Sequence, residues 1–323
     1  MVPLVLWLLA AVAFAFAVSI GAHYTGACMG MSFAAGAIRL GPALWLMAPL
    51  AFVGALVASG GVETTVGHGI LAATPVAIGI ALSIVAAALV LTSVYNFVTV
   101  PTSTIQILVF SVVGAGLAAG LPIDWATIGV LLAVWAVAPF AAFGLGYGLV
   151  RLVDARRGAA APLAGPLPRG VAFALVAVGA GASFAMGAND VSNASGALVM
   201  TGFFGLFTAA LLGGVGLAVG VVSWGRPLLK TVAFDIVRLD PAMATVAQLA
   251  QAVVILVSVG FGYFTSMNQA LVGAMLGAGV ARGRETVRRT AVRGILVGWA
   301  IGPVSGAALG YALAWAALRV GGL

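Results

Sequence analysis

The segment 187–193, Gly-Ala-Asn-Asp-Val-Ser-Asn, places one carboxylate, Asp190, inside a long apolar stretch. A charged side chain in hydrocarbon is strongly unfavourable, so it is retained where it has a partner or a task. A carboxylate between two amides can bind a cation together with Asn189 and Asn193, or it can carry a proton. The plainer alternative is that Asp190 caps a helix, because Asp is a frequent N-cap residue. We expect a functional role for Asp190.

The composition places the chain among multi-pass membrane proteins. It is 63% hydrophobic and 7% charged, its mean hydropathy is +1.23, and long apolar runs recur from end to end. The formal net charge of +7 lies in short connecting segments, which indicates topology signals rather than a nucleic-acid surface. We interpret residues 1–22 as the first membrane segment, and the single Cys28 excludes an intrachain disulfide. No HExxH, GxSxG or paired-Asp pattern is present, so we do not expect an enzyme.

The chain contains an internal repeat, a feature that decides the fold class. Three pairs of segments align between the copies: 20–27 with 186–193, 101–118 with 264–281, and 135–149 with 299–313. The first pair sets His23 opposite Asn189 and Tyr24 opposite Asp190. We therefore predict a first repeat over 1–153, a cytoplasmic linker over 154–169 and a second repeat over 170–323, which together form one integrated domain.

The two copies carry their charges differently. The matching segments of the first copy, 60–69 and 120–125, contain no Lys or Arg, whereas basic residues flank 240–282 in the second copy. Those basic residues are Arg226, Lys230, Arg238, Arg282, Arg284, Arg288, Arg289 and Arg293. Because basic loops stay in the cytoplasm, equivalent loops of the two copies should face opposite sides of the membrane. This pattern predicts inverted-topology repeats.

The predicted fold is an all-α polytopic membrane protein with two inverted-topology repeats, discontinuous helices and re-entrant hairpins. We expect the hairpins over 70–120 and 240–282, with Pro-Thr-Ser-Thr and Phe-Thr-Ser-Met at their tips. Irregular polar backbone is tolerated at membrane depth only where protein or water covers it, so these tips should line a site. Helix breaks are expected at the Gly-Ala motif of each copy, and Glu63 and His68 are expected in an external loop.

With these motifs, the chain resembles the inorganic phosphate transporter (PiT) family. The segment 187–199, GANDVSNASGALV, is similar to the family's GANDVAN-type motif, while PTSTIQ and FTSMNQ are looser matches to its Ser/Thr signature and lack the His. The first copy places His23 and Tyr24 where the family usually has Asn and Asp, and this degenerate motif is similar to the sulfate permease branch. The resemblance spans essentially the whole chain and implies transport of an inorganic oxyanion.

A dianion then needs compensation, yet no Lys or Arg lies in 187–199, 101–106 or 264–269. Interrupted helices would supply it through their N-terminal N–H groups, completed by hydroxyl and amide donors. The candidate anion-binding residues are Ser192, Asn193, Ser195, Thr102, Ser103, Thr104, Thr265, Ser266, Asn268, Gln106, Gln269, Thr25 and Gly26.

The candidate residues for the coupling ion are Asp190, Asn189, Asn193 and His23, with Na⁺ held at the first three or a proton carried. His23 is equally well explained as a structural residue that makes one hydrogen bond. No cofactor besides the coupling ion is expected.

The sequence thus predicts a secondary active importer that works by alternating access in the plasma membrane of a prokaryote. Sulfate is favoured over phosphate, because hydrogen phosphate carries a P–OH that benefits from a carboxylate, and Tyr24 stands where a second carboxylate would be. The alternatives are a phosphate symporter coupled to Na⁺ or H⁺ and a passive channel for small solutes. Membrane lipids and a second copy of the chain, in a homodimer, are the expected partners; nucleic acid is not.

Overall fold

The computed structural model describes residues 2–72, 75–157, 167–235, 240–283 and 289–321. Within these ranges the chain is almost entirely helical, with one isolated bridge between Leu71 and Ile123 and no other β-structure. The first copy of the repeat forms α1 Val2–His23, α2 Thr25–Ala34, α3 Leu40–Ala58, α4 Gly60–His68, α5 Ile78–Phe97, α6 Thr104–Ala118 and α7 Trp125–Arg157. The second copy forms α8 Arg169–Val199, α9 Leu206–Trp224, α10 Arg226–Asp235, α11 Pro241–Gly260, α12 Met267–Arg282 and α13 Arg289–Gly321.

Eight helical segments of the described chain are long and apolar enough to cross a membrane. They are Leu4–Ala34, Leu40–Ala58, Ile78–Phe97, Trp125–Arg156, Arg169–Val199, Leu206–Trp224, Pro241–Gly260 and Val297–Val320. The chain is therefore an integral, multi-pass membrane protein, as its composition predicts.

The two copies interlock rather than pack side by side. Helix α1 packs on α9 as α8 packs on α3, and α6 packs on α13 as α12 packs on α7. Helix α2 contacts α10 just as α8 contacts α4. Every contact within this set has its counterpart after exchange of the copies, which is the pattern that a twofold relation between repeats produces.

Glycine allows these helix pairs to approach backbone to backbone. A Cβ added at Gly187 of α8 would lie 1.8 Å from the carbonyl oxygen of Ala51 in α3. At Gly277 of α12 the same addition would lie 2.0 Å from the carbonyl oxygen of Phe143 in α7. Small residues at such crossings are the usual basis of helix association in a membrane, where lipid gives no hydrophobic drive.

The two copies of the Gly-Ala motif differ in their backbone. In the first copy the helix is interrupted at Tyr24, between α1 and α2. In the second copy α8 runs without interruption from Arg169 to Val199, so the helix break expected at Asp190 was wrong. This segment contains no proline, so its backbone hydrogen bonds can continue. Its polar side chains form hydrogen bonds with neighbouring residues without breaking the helix.

Two helical hairpins, α5–α6 and α11–α12, carry the polar tips. Their second arms have 15 and 16 residues. At 1.5 Å per residue these arms are about 23 Å long, shorter than the roughly 30 Å of a hydrocarbon core. Short arms of this kind agree with the re-entrant hairpins predicted from the sequence. The backbone at equivalent tip positions is left-handed, with φ of 54° at Thr99 and 76° at Gly262.

Candidate functional site

The two hairpin tips meet in the interior of the protein. The Nδ2 of Asn268 donates to the carbonyl oxygen of Thr102 at 2.7 Å, which joins the second hairpin to the tip of the first. The side-chain amides of Gln106 and Gln269 donate to each other's oxygens at 3.4 and 3.1 Å. Residues that align in sequence thus lie face to face in space, and the tips form one buried polar centre.

Each tip ends in the N-terminus of a short helix. The Oγ of Ser103 accepts the backbone N–H of Gln106 at 3.4 Å, and the Oγ of Ser266 accepts that of Gln269 at 3.3 Å. These serines are therefore N-caps of α6 and α12. The positive ends of both helix dipoles are directed at the same buried centre, an arrangement that favours an anion.

Helix α8 brings Asp190 to this centre. Its carboxylate is fully buried and accepts from Asn189 Nδ2 at 3.1 Å and from Asn193 Nδ2 at 3.3 Å. Neither ion pair found in the described part of the chain involves Asp190. Amide donors alone stabilise a buried carboxylate poorly, so the chemistry of this group fits a bound cation or a proton.

Tyr24, the counterpart of Asp190, links the break in the first copy to the same network. Its hydroxyl lies 2.8 Å from the Oγ1 of Thr104, which also accepts from Asn193 Nδ2 at 3.2 Å. The Tyr24 side chain also lies close to the Asp190 carboxylate. The two equivalent positions of the repeat therefore converge on one site, with a phenol on one side and a carboxylate on the other.

Several buried polar atoms at this site have no hydrogen-bond partner among the residues that the structure describes. They include the Oγ1 atoms of Thr102 and Thr265, which occupy equivalent positions on the two tips, and the Oδ1 of Asn193. Buried polar groups are nearly always paired, so such atoms are those available to a ligand. The two hydroxyls can donate hydrogen bonds to an anion. The Asn193 oxygen has no hydrogen to donate, so it suits a hydrogen-bond donor or a metal cation.

Three of the hydroxyls predicted to bind the anion make hydrogen bonds within the protein instead. Ser192 donates to the carbonyl oxygen of Asn189 at 3.1 Å, and Thr25 donates to that of Gly225 at 2.6 Å. Ser195 contacts the carboxylate of Glu63 and the carbonyl oxygen of Val191. Gly26, beside Thr25, is buried in the first turn of α2.

Glu63 is a further buried polar residue of this region. The expectation of a loop was wrong for Glu63 and for His68, since both lie in α4. Glu63 is 1% exposed and contacts Ser195 of α8. The helical spacing of Val62, Glu63 and Val66, all buried on one face, is the signal that could have located it. The structure therefore buries a second carboxylate against the same helix that carries Asp190.

Two buried glutamines of α11 were also missed. Gln248 donates to the carbonyl oxygen of Ala27 at 3.0 Å, and Gln251 donates to that of Met267 at 3.2 Å. Both side-chain oxygens are buried without a partner. The two glutamines are three residues apart and therefore share one face of α11. The apolar sequence around them does not indicate which residues that face contacts.

An ion cluster ties the end of the first repeat to the second hairpin. Arg282 donates from Nε to Asp154 at 2.9 Å and also pairs with Asp240, the N-cap of α11. Helix α7 continues to Arg157, so Asp154 belongs to a helix rather than to the predicted linker. The predicted basic residues Arg238, Arg284 and Arg288 lie outside the described residues.

A cavity of about 460 Å³ adjoins the glutamine pair. Gln106 and Gln269 form part of its wall, which is otherwise mainly apolar and includes Phe140, Leu276 and Trp299. An apolar wall does not compensate a dianion, so this cavity is no candidate for the anion site. The centre between the tips and α8 is the better candidate.

The protein has membrane-spanning helices around a buried polar centre, which two hairpin tips and one polar helix form together. This architecture is that of a multi-pass membrane transporter. The chain belongs to the phosphate transporter family, whose model matches residues 20–166 and 156–310. This result confirms the family resemblance predicted from the motifs.

The similar proteins include one named a sulfate permease and others named phosphate transporters. The chain is 28% identical over 276 residues to the sulfate permease CysP of Bacillus subtilis, an alignment that covers 83% of this chain and 76% of that one. It is 34% identical over 105 residues to the human sodium-dependent phosphate transporter 1, which covers 29% of this chain and 16% of that one. A solved structure described as the sodium-dependent phosphate transporter matches with a TM-score of 0.88 at 22% identity, covering 98% of this chain and 99% of the other. The last similarity shows the fold.

Proposed function

We propose that this transporter imports sulfate by alternating access around the centre formed by the two hairpin tips and α8. Its membership of the phosphate transporter family makes it a transporter of inorganic anions. The observation that carries the proposal is the pair of unpartnered Thr102 and Thr265 hydroxyls, set beside the N-termini of α6 and α12. Two donors and two positive helix ends offer a tetrahedral oxyanion hydrogen bonds from both repeats.

The preference for sulfate rests on the phenol at position 24. Sulfate at neutral pH presents acceptor oxygens only, so a site for it needs donors throughout. The Tyr24 hydroxyl is hydrogen-bonded to Thr104. A carboxylate at position 24 would instead add a second acceptor beside Asp190. The similarity to a sulfate permease over most of the chain supports the same preference.

Phosphate is the alternative substrate, and a specific observation favours it. Hydrogen phosphate carries one P–OH, which can donate to a carboxylate, and Asp190 is a buried carboxylate at the site. The human relative is a sodium-dependent phosphate transporter by name.

Asp190 is the proposed coupling residue. With the unpartnered Oδ1 of Asn193 it offers oxygen ligands to Na⁺, and without the ion it can take up a proton. Asn189 is a weaker cation ligand, because its Oδ1 already accepts the backbone N–H of Thr265 at 3.0 Å. A cation or proton at Asp190 would make the site acceptable to a dianion, which couples the two fluxes.

Uptake into proteoliposomes tests the proposal. Labelled sulfate and labelled phosphate are supplied separately, each under an imposed Na⁺ gradient, an imposed H⁺ gradient or neither. We expect concentrative sulfate uptake under one gradient. Uptake of phosphate alone would select the alternative substrate, and flux that ignores both gradients would indicate a passive channel.

Asp190→Asn is the informative variant in this assay, because it keeps the shape of the side chain and removes its charge. We expect loss of gradient-driven uptake. Asp124→Asn is the matched control: Asp124 caps α7 by accepting from Ala126 at 2.9 Å and Thr127 at 3.1 Å, away from the tips. Equal coupling in wild type and Asp190→Asn would remove Asp190 from the mechanism.

A further inference from the structure

His23 and Asn189 make the same contact in the two repeats. Asn189 holds the backbone of Thr265: its Oδ1 accepts the Thr265 N–H at 3.0 Å and its Nδ2 donates to the Thr265 carbonyl oxygen at 2.8 Å. In the first copy the Nε2 of His23 lies 3.1 Å from the N and 3.2 Å from the carbonyl oxygen of Thr102. Each residue thus holds the threonine at the tip of its own hairpin.

The neighbours of His23 determine its proton arrangement. The Nδ2 of Asn96 donates to the backbone oxygen of Ser19 at 2.8 Å and to its Oγ at 3.0 Å, which turns the Asn96 Oδ1 toward the ring. That oxygen lies 2.6 Å from the His23 Nδ1 and can only accept, so Nδ1 carries a hydrogen. In the neutral ring Nε2 then accepts the N–H of Thr102.

This arrangement satisfies every group without a charged imidazole. The carbonyl oxygen of Thr102 already accepts from Asn268 at 2.7 Å, so it does not need a second donor from His23. The ring is buried, and within the described ranges its hydrogen-bond partners are Asn96 and the backbone of Thr102, neither of which is a carboxylate. The geometry is that of a structural bridge between α1, α5 and the first tip.

We propose that His23 is a positioning residue: it replaces the amide of Asn189 in the first repeat and holds the tip of α5–α6 so that the Thr102 hydroxyl faces the anion site. The role rests on the proposed function of that site, and it leaves the coupling ion to Asp190 and Asn193, with no part for His23. The bridge to Asn96 has no equivalent in the second copy, where the aligned residue is Val259. The first tip is therefore anchored to its own hairpin arm, whereas the second is held by Asn189.

His23→Asn tests the proposal, because it restores at position 23 the residue that performs this task in the second copy. We expect His23→Asn to keep gradient-driven uptake with an unchanged pH profile. His23→Ala should raise the KM for the anion about tenfold, the effect of releasing one buried hydrogen-bond partner. Asn189→Ala is the matched variant for the second tip and should act in the same direction.

A proton carrier at position 23 would behave differently. His23→Asn would then abolish uptake driven by a pH gradient while exchange of labelled for unlabelled anion continued, and this result would overturn the proposal.

Amide hydrogen exchange at the hairpin tips tests this inference independently of the proposed function, because the measurement does not require transport. If neither sulfate nor phosphate moves under any gradient, the proposed function fails, but exchange of the Thr102 N–H, which donates to His23 Nε2, still reports the contact. The proposal expects faster exchange in His23→Ala than in wild type and near-normal exchange in His23→Asn. Equal protection in wild type and His23→Ala would show that His23 does not hold the tip.

Discussion

The hydroxyls of Thr102 and Thr265 are equivalent in the repeat, and both are buried without a hydrogen-bond partner. Each belongs to a hairpin tip whose backbone is held from α1 or α8, by His23 or Asn189. The fold thus presents two matched donors to one point while keeping their side chains free. His23 and Asn189 therefore position the tips, while the hydroxyls of Thr102 and Thr265 are available to the substrate.

Thr102→Val and Thr265→Val should weaken anion binding without weakening the fold. The substitution removes a hydroxyl that has no hydrogen-bond partner in the described part of the chain, so thermal stability should change little. A hydrogen bond to a charged group contributes about 1.5–3 kcal/mol, so each variant should raise the KM about tenfold or more. Transport kinetics and a melting curve on the same preparation check both parts.

The control for these variants is Ser83→Ala. Ser83 is a buried hydroxyl that bonds back to the carbonyl oxygen of Gly79 at 2.8 Å in α5. Its removal should leave the KM unchanged. A normal KM in both threonine variants would place the anion elsewhere.

Tyr24→Asp should shift selectivity toward phosphate. The new carboxylate would stand opposite Asp190 and supply an acceptor for the P–OH, while it would repel sulfate. The measurement is the ratio of phosphate to sulfate uptake, which is independent of the amount of folded protein. Tyr24→Phe, which loses the bond to Thr104 without adding an acceptor, is the matched comparison. An identical ratio in the two variants would argue against the role given to position 24.

Glu63→Leu should destabilise the protein, and Glu63→Gln should not do so to the same extent. Leucine leaves the Ser195 hydroxyl with only the Val191 carbonyl as partner and removes a buried polar contact between α4 and α8. Loss of such a contact costs about 1–3 kcal/mol. Thermal unfolding in detergent measures the difference, and melting temperatures that match wild type in both variants would contradict it.

Gly187→Ala should separate α8 from α3. The added methyl group would meet the carbonyl oxygen of Ala51 at 1.8 Å, which the two backbones can relieve only by moving apart. Overpacking of this kind costs about 1–3 kcal/mol and would also displace Asp190. Gly148→Ala in α7 is the control, because nothing lies within 4 Å of a Cβ there. Comparable stability and uptake of the two variants would show that the crossing tolerates a side chain.

Sequence patterns located the polar centre because its parts recur. Asp190 stands out against an apolar background, and the two Thr-Ser tips are found by aligning the copies. The assignment of Ser195 to the anion assumed a helix broken at the motif, whereas α8 is continuous there. On the continuous α8, at 100° per residue, Ser195 lies about 140° around the axis from Asp190, so both cannot face the tips.

Glu63 shows a second limit. Its own helix has nine residues, and its burial depends on contact with α8, more than a hundred residues away in the chain. Local periodicity reports which residues share a face, but it does not report what covers that face.

Three features were predictable from the amino-acid sequence: a multi-pass membrane protein, two copies of one pattern, and a carboxylate with two hydroxyl-rich tips as the unusual polar groups. These properties follow from composition and from repetition along the chain. The continuity of α8 at Asp190, the meeting of the two tips, and the equivalent contacts of His23 and Asn189 are visible only in the folded chain. Such pairings depend on which helices cross and on how closely their glycines let them approach.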